Sequence, residues 1–118
     1  MSHYRHFRVE PKGYVTVLEL LDPRLADALV VTELQDELLD LIESQNPTHL
    51  LIDFRNVAQC STAVINGLLR SKKRLLADGG ELKLCGMRPV IREAYQMLNL
   101  DGTVFQIYDT VDDALDAY

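Results

Sequence analysis

Short runs of apolar and β-branched residues recur along the chain and predict the strands of a sheet. The run Tyr14–Leu21 predicts a central strand, with Tyr4–Val9 in a position to pair with it. His49–Phe54 is almost continuously apolar, which is typical of a strand that is covered on both faces. Two shorter runs, Glu81–Cys85 and Val104–Ile107, predict the remaining strands.

Segments of helical periodicity separate these runs. Leu34, Leu38 and Leu41 fall on one face of a helix predicted over Thr32–Glu43, which could begin with a capping box of Thr32 and Gln35 and end at Asn46-Pro47. A second helix follows residues 60–62 and ends at Asp78-Gly79-Gly80, a third begins at Arg88-Pro89, and a fourth spans Val111–Ala117. The residues expected on the buried faces of the second and third helices are Ile65, Leu68, Leu69, Leu75 and Leu76, and Ile91, Ala94, Tyr95 and Leu98.

Strands that alternate with helices over short loops define the fold class. The 118 residues are enough for one domain with a core of its own, so a single domain over residues 1–118 is expected. We predict an α/β fold with a mixed, mainly parallel sheet of four to five strands, covered on both faces by about four helices.

Composition narrows the classes of partner. The net charge of −6 and the pI of about 4.9 argue against direct binding to nucleic acid and favour a protein or a small molecule. No apolar run is long enough to cross a bilayer, and the first ten residues do not resemble a secretory signal. A cytoplasmic protein without membrane insertion is therefore expected.

Charged residues are nevertheless unevenly distributed. Each of two segments is expected to form the solvated face of a helix. The acidic segment contains Glu33, Asp36, Glu37, Asp40 and Glu43, and the basic segment contains Arg70, Lys72, Lys73 and Arg74.

Catalytic motifs do not account for the sequence. Cys60 and Cys85 lack the arginine six positions later that a cysteine phosphatase needs, and both are expected to be reduced and structural. His3, His6 and His49 lack the spacing of metal ligands. A Ser61 or Cys60 nucleophile would need a distant base, and His49 lies at the opposite end of a strand. We expect no enzyme activity, catalytic residue, metal or cofactor.

Residues Cys60-Ser61-Thr62 lie between a strand and a helix. A hydroxyl of Ser61 or Thr62 could cap the helix, with Ser61 the expected cap and Cys60 a packing residue. The same position would also favour a phosphate, because free N–H groups and the helix dipole attract an anion.

The chain resembles the STAS domain of bacterial anti-sigma-factor antagonists over nearly its whole length. The resemblance rests on Tyr14–Leu21, His49–Val57, residues 60–62 with their helix, Gly79–Cys85 and the segment from Val90 to Asp109. The family usually carries Asp-Ser-Ser-Gly-Leu-Gly here, and its first serine accepts phosphate from a partner kinase. A count without gaps places the aspartate at Ser61 and the acceptor at Thr62; a slip of one residue makes Ser61 the acceptor.

The resemblance implies a function in signalling. It implies an anti-sigma-factor antagonist that binds an anti-sigma factor with serine/threonine protein kinase activity, frees a sigma factor and lets go when phosphorylated. The alternative is a constitutive STAS subunit of a signalling scaffold or of an ABC-type membrane transport complex. The predicted docking surface consists of Ser61 and a polar stripe along the same helix. Gly67 is expected to allow close approach of the partner's backbone. The alternative interpretation of the stripe is an ordinary solvated helix face. The polar stripe consists of Thr62, Asn66, Arg70 and Lys73.

Overall fold

A computed structural model describes residues 4–118, which form seven strands and four helices. The strands are β1 (Phe7–Lys12), β2 (Val15–Leu20), β3 (Arg24–Leu25), β4 (His49–Asp53), β5 (Gln59–Cys60), β6 (Glu81–Cys85) and β7 (Gln106–Tyr108). The helices are α1 (Ala28–Gln45), α2 (Thr62–Ala77), α3 (Pro89–Met97) and α4 (Val111–Asp116).

Five of the strands form one mixed sheet in the order β1-β2-β4-β6-β7. Only β1 runs antiparallel, since it forms a hairpin with β2, while the other neighbouring pairs are parallel. Strands β3 and β5 form a separate two-stranded parallel ladder. The predicted α/β class, the four to five strands expected in the mixed sheet and the four helices are confirmed.

Helices cover both faces of the sheet, but unequally. The larger apolar core joins the sheet to α1, α2 and α3, and the smaller one joins the opposite face to α4. Strand β4 lies between the two cores, with Leu50 and Ile52 in the larger and Leu51 in the smaller. The continuous apolar run of β4 is therefore explained, as predicted, by burial on both faces of the sheet.

Helix α1 begins before the residue that the sequence pattern predicts. Asp27 caps it, accepting hydrogen bonds from the N–H groups of Leu29 at 2.9 Å and Val30 at 3.3 Å. The predicted capping box at Thr32 is wrong, because Thr32 and Gln35 lie inside the helix. Asn46, in the left-handed conformation at φ 45°, ends the helix where expected.

Smaller departures concern element ends and exposure. Strand β1 begins at Phe7 and continues to Lys12, and β7 begins at Gln106. Leu76 and Leu98 were expected to be buried but are 56% and 52% exposed. Leu98 is the C-cap residue of α3, so the helical periodicity that predicted an inward position no longer applies to it.

The acidic segment of α1 was expected to be only a solvated face. Instead, its carboxylates bind the first residues that the structure describes. Glu37 accepts hydrogen bonds from the N–H groups of Arg5 at 2.8 Å and His6 at 3.0 Å. The Tyr4 hydroxyl donates to Asp40 at 2.8 Å. His6 is 6% exposed, and its ring nitrogens lie 2.6 Å from Asp22 and 3.1 Å from Glu33.

The contacts of His6 predict a pH-dependent stability. Burial lowers the pKa of His6, but the hydrogen bonds to Asp22 and Glu33 outweigh burial and raise it above 6.5. A raised pKa in the folded state stabilises the protein fully below the unfolded value, and this stabilisation disappears as pH rises through the folded pKa. The stability that His6 contributes should therefore be complete below about pH 6.5 and be lost between mildly acidic and alkaline pH.

Urea unfolding of the wild type and of His6→Gln across this pH range measures the effect. Glutamine retains hydrogen-bonding groups but does not titrate, and every other titrating group is common to both proteins. The difference between their free energies of unfolding should therefore shrink as pH rises. A difference that is constant with pH would show that His6 contributes no titratable stability.

Candidate functional site

The short β3–β5 ladder positions residues 60–62 at the start of α2. The carbonyl oxygen of Pro23 accepts from the N–H groups of Ala58 and Gln59 at 2.7 Å and 3.1 Å. The N–H group of Ser61 donates to the carbonyl oxygen of Leu25 at 2.8 Å. These backbone bonds fix where α2 begins.

Ser61 occupies the N-cap position of α2 without acting as a side-chain cap. Its backbone is extended, at φ −82° and ψ 160°, which suits an N-cap residue. Its Oγ is buried, however, and has no hydrogen-bond partner among residues 4–118, so the expected capping role of its side chain is wrong. Only the carbonyl oxygen of Ser61 helps, accepting from the N–H group of Val64 at 3.2 Å.

Thr62 is the first residue of α2, and its side chain is exposed. Because Ser61 provides no side-chain cap, the N–H groups of Thr62 and Ala63 receive no capping oxygen from it. The remaining residues of the polar stripe, Asn66, Arg70 and Lys73, are also exposed. The structure thus brings Thr62 and the polar stripe onto one solvent-facing surface, with the Ser61 hydroxyl turned away from solvent.

The basic segment of α2 does not lie wholly on this surface. Lys72 turns toward the loop before β7, where its Nζ donates to the carbonyl oxygen of Val104 and lies 5.5 Å from the centre of the Phe105 ring. Burial, with a smaller contribution from the charge of Lys83, lowers the pKa of Lys72. The exposed positive charges of the segment are those of Arg70, Lys73 and Arg74.

Gly67 faces the neighbouring helix α1, so its expected contact with a partner is wrong. A Cβ at Gly67 would lie 2.7 Å from Cγ of Gln35. The same glutamine donates from Nε2 to the carbonyl oxygen of Ala63 at 3.1 Å. The glycine therefore lets α1 and α2 pack closely.

The two cysteines are free thiols that remain protonated at neutral pH. Burial raises the pKa of Cys60 to about 11 and that of Cys85 to about 12. His49 lies at the start of β4, between the rings of Tyr14 and Tyr118 at 5.2 Å and 5.3 Å. It is therefore not placed as a base for Ser61 or Cys60, which follow the other end of that strand.

Neither a cluster of metal ligands nor a membrane-spanning helix is found within residues 4–118. No three acidic, histidine or cysteine side chains in that range are close enough to hold a metal ion. His3 lies outside the described residues. In the same part of the chain, no helix is both long enough and apolar enough to cross a membrane.

The sequence interpretation missed a second polar cluster beyond the end of β4. Asp53 is only 1% exposed and accepts from the backbone N–H of Arg55 at 3.0 Å and from its Nε at 2.6 Å. This contact raises the pKa of Arg55. Gly86 lies against the carboxylate, because a Cβ there would be 2.5 Å from Oδ1. The sequence did contain a signal for this contact: an aspartate ends an apolar strand and an arginine follows two residues later.

The fold and the α2 site together define a small α/β domain that presents a hydroxyl at an uncapped helix N-terminus. The family model described as the STAS domain matches residues 14–114. The chain therefore belongs to the STAS domain family, as the resemblance implied.

Solved structures of anti-sigma factor antagonists are similar to this chain. A STAS domain protein from Planctomyces limnophilus is 28% identical, with 94% of this chain and 96% of that chain covered and a TM-score of 0.81. An antagonist from Mycobacterium paratuberculosis is 24% identical, with coverages of 94% and 91% and a TM-score of 0.81. A protein from Thermotoga maritima described as such an antagonist is 15% identical, with coverages of 94% and 92% and a TM-score of 0.81. No curated protein matches by sequence at the significance required.

Proposed function

We propose that this STAS domain is an anti-sigma-factor antagonist that works as a phosphorylation-controlled partner switch. Unmodified, it binds an anti-sigma factor that is also a serine/threonine protein kinase, and the sigma factor held by that kinase is released. Phosphorylated at Thr62, it dissociates. The observation that carries the proposal is the exposed Thr62 hydroxyl at an α2 N-terminus without a side-chain cap.

In the proposed phosphoryl transfer, the kinase supplies the ATP and the catalytic groups, and this chain supplies only the acceptor hydroxyl. Oγ1 of Thr62 attacks the γ-phosphorus of ATP bound to the kinase, the bond to the ADP oxygen breaks so that ADP leaves, and the hydroxyl proton passes to a base of the kinase. The antagonist thus acts as the substrate, with no enzyme activity or cofactor of its own. The proposal is for a cytoplasmic protein that touches neither nucleic acid nor membrane directly, in keeping with a net charge of −6.

A phosphate at Thr62 would affect the free domain and the complex in opposite ways. In the free domain, the N–H groups and dipole of α2 favour the additional charge of about −1.5 to −2. In a complex, the same charge would be buried against the partner without compensation. Each 1.4 kcal/mol lost weakens binding about tenfold, so a few such losses release the partner.

The polar stripe supplies the docking surface in this proposal. Arg70 and Lys73 continue the exposed face from Thr62 and Asn66 along α2. An acidic patch on the kinase would complement these charges and determine the orientation of docking. Ser61 contributes through its backbone at the edge of the same surface.

A constitutive interaction subunit is the second candidate function. The observation in its favour is that Ser61 occupies the position of the family aspartate and turns its hydroxyl inward. A subunit of a signalling scaffold or an ABC-type transport complex would bind its partner with the same affinity whether or not it was phosphorylated. A pull-down from native lysate separates the two candidates, because recovery of a transport assembly instead of a kinase would favour the second.

Thr62→Ala is expected to abolish phosphorylation by the kinase recovered in that pull-down. Incubation with the kinase and ATP, followed by intact-mass measurement, should give one phosphate on the wild type and on Ser61→Ala. Thr62→Ala should give none, because only the exposed hydroxyl reaches the kinase. A phosphate that persists in Thr62→Ala and disappears in Ser61→Ala would reassign the acceptor, while an unmodified wild type would contradict the switch.

A further inference from the structure

A cavity of about 160 Å³ lies between the start of α2 and the inner face of α3. Its opening is at the surface, next to the exposed residues Thr62 and Val90. One wall comes from β5 and α2 and the other from α3. Its lining includes Cys60, Ser61, Ile65, Val90, Ala94 and Tyr95.

Two hydroxyl groups without partners belong to side chains that line this cavity. The Ser61 Oγ and the Tyr95 hydroxyl are both buried and make no hydrogen bond within residues 4–118. Tyr95 as a whole is 1% exposed, and burial raises its pKa, so its hydroxyl stays protonated. Within the described residues, only one other buried side-chain atom, Nδ1 of His49, lacks a partner. The concentration of unpaired hydroxyls around one cavity indicates a binding role, because buried polar groups are normally paired.

The walls determine which class of molecule would fit. None of the lining residues carries a charge at neutral pH, since the raised pKa of Cys60 keeps its thiol neutral. A charged ligand would lose its hydration without compensation. Cavities of about 150 Å³ with apolar walls accept a molecule of the size of benzene, and here the two hydroxyls add hydrogen-bonding groups.

We propose that this cavity binds a small uncharged molecule with an apolar body and one hydroxyl or carbonyl group. Its volume suits about six to nine non-hydrogen atoms, as in a benzyl alcohol. The apolar body packs against Ile65, Val90 and Ala94. Both hydroxyls are buried behind the cavity wall, so the polar group pairs with that of Ser61 after its side chain turns about a single bond, or with that of Tyr95 after its ring shifts toward the cavity. The cavity borders the proposed docking surface, since Ser61 and Thr62 line it, but binding of the molecule does not require the partner switch.

Fluorine-19 NMR titration of the full chain with 4-fluorobenzyl alcohol tests the site without any protein partner. We expect saturable binding with a dissociation constant on the order of 1 mM or lower. Tyr95→Phe or Ser61→Ala should weaken binding of the alcohol about three- to tenfold, the effect of one hydrogen bond. Neither variant should weaken binding of 4-fluorotoluene, which has no polar group.

Ala94→Leu provides the blocking variant, because its longer side chain would occupy the cavity. We expect it to abolish binding of both probes while its thermal unfolding and amide NMR spectrum report an intact fold. Non-saturable binding to the wild type, or unchanged binding to Ala94→Leu, would overturn the proposal. Unchanged binding of the alcohol to both Tyr95→Phe and Ser61→Ala would overturn the proposed ligand class.

Discussion

Under the proposed partner switch, Thr62→Glu is expected to weaken binding of the unphosphorylated domain to the proposed kinase partner about 100-fold. A carboxylate at the first residue of α2 would be buried in the interface, and an unpaired buried charge costs about 2–5 kcal/mol. About 3 kcal/mol corresponds to the expected factor. Isothermal titration calorimetry against the purified kinase, with ADP in place of ATP, measures the affinity without phosphorylation.

Thr62→Gln is the matched control, since glutamine has the size of glutamate without its charge. It should lose far less affinity than Thr62→Glu. The glutamate variant should also keep or slightly raise the free energy of unfolding, because a negative charge at a helix N-terminus stabilises the helix by about 0.3–1 kcal/mol. Equal losses in the two variants would mean that side-chain size, and not charge, disrupts docking.

The sequence pattern predicted the main elements because burial and periodicity agree in them. In β4, four successive buried residues follow from two covered faces, and in α2 the helical phase correctly places Thr62 and Asn66 outside. The β3–β5 ladder was missed because each strand has only two residues. Such a ladder depends on tertiary hydrogen bonds, which leave no periodicity to detect.

The candidate site was predictable in position but not in detail. The backbone of Ser61 is suitable for a cap, yet its Oγ is buried without a hydrogen-bond partner, a choice of rotamer that the sequence does not encode locally. The glycine at position 67 indicated close packing, but not whether the neighbour would be α1 or a partner. Asp53 and Gly86 were missed because their contact joins the ends of two strands far apart in the sequence.

Gly86→Ala is expected to lower the free energy of unfolding by about 2–5 kcal/mol. Gly86 has a φ of 73°, a conformation that costs an L-residue about 1–2 kcal/mol. In addition, the new methyl group would lie 2.5 Å from Oδ1 of Asp53 and 3.2 Å from the backbone nitrogen of Arg55. Displacing the buried carboxylate from its hydrogen bonds adds about 1–3 kcal/mol. Urea unfolding at neutral pH measures the sum.

Gly102→Ala isolates the conformational part of this effect. Gly102 has a φ of 82°, but a Cβ there would meet no atom within 4 Å, so only the cost of about 1–2 kcal/mol is expected. The excess in Gly86→Ala then measures how firmly Arg55 holds Asp53 in place. Equal losses at the two glycines would mean that the carboxylate moves aside freely. A clear excess would mean that the ends of β4 and β6 are fixed by this polar contact, whose geometry admits only glycine beside it.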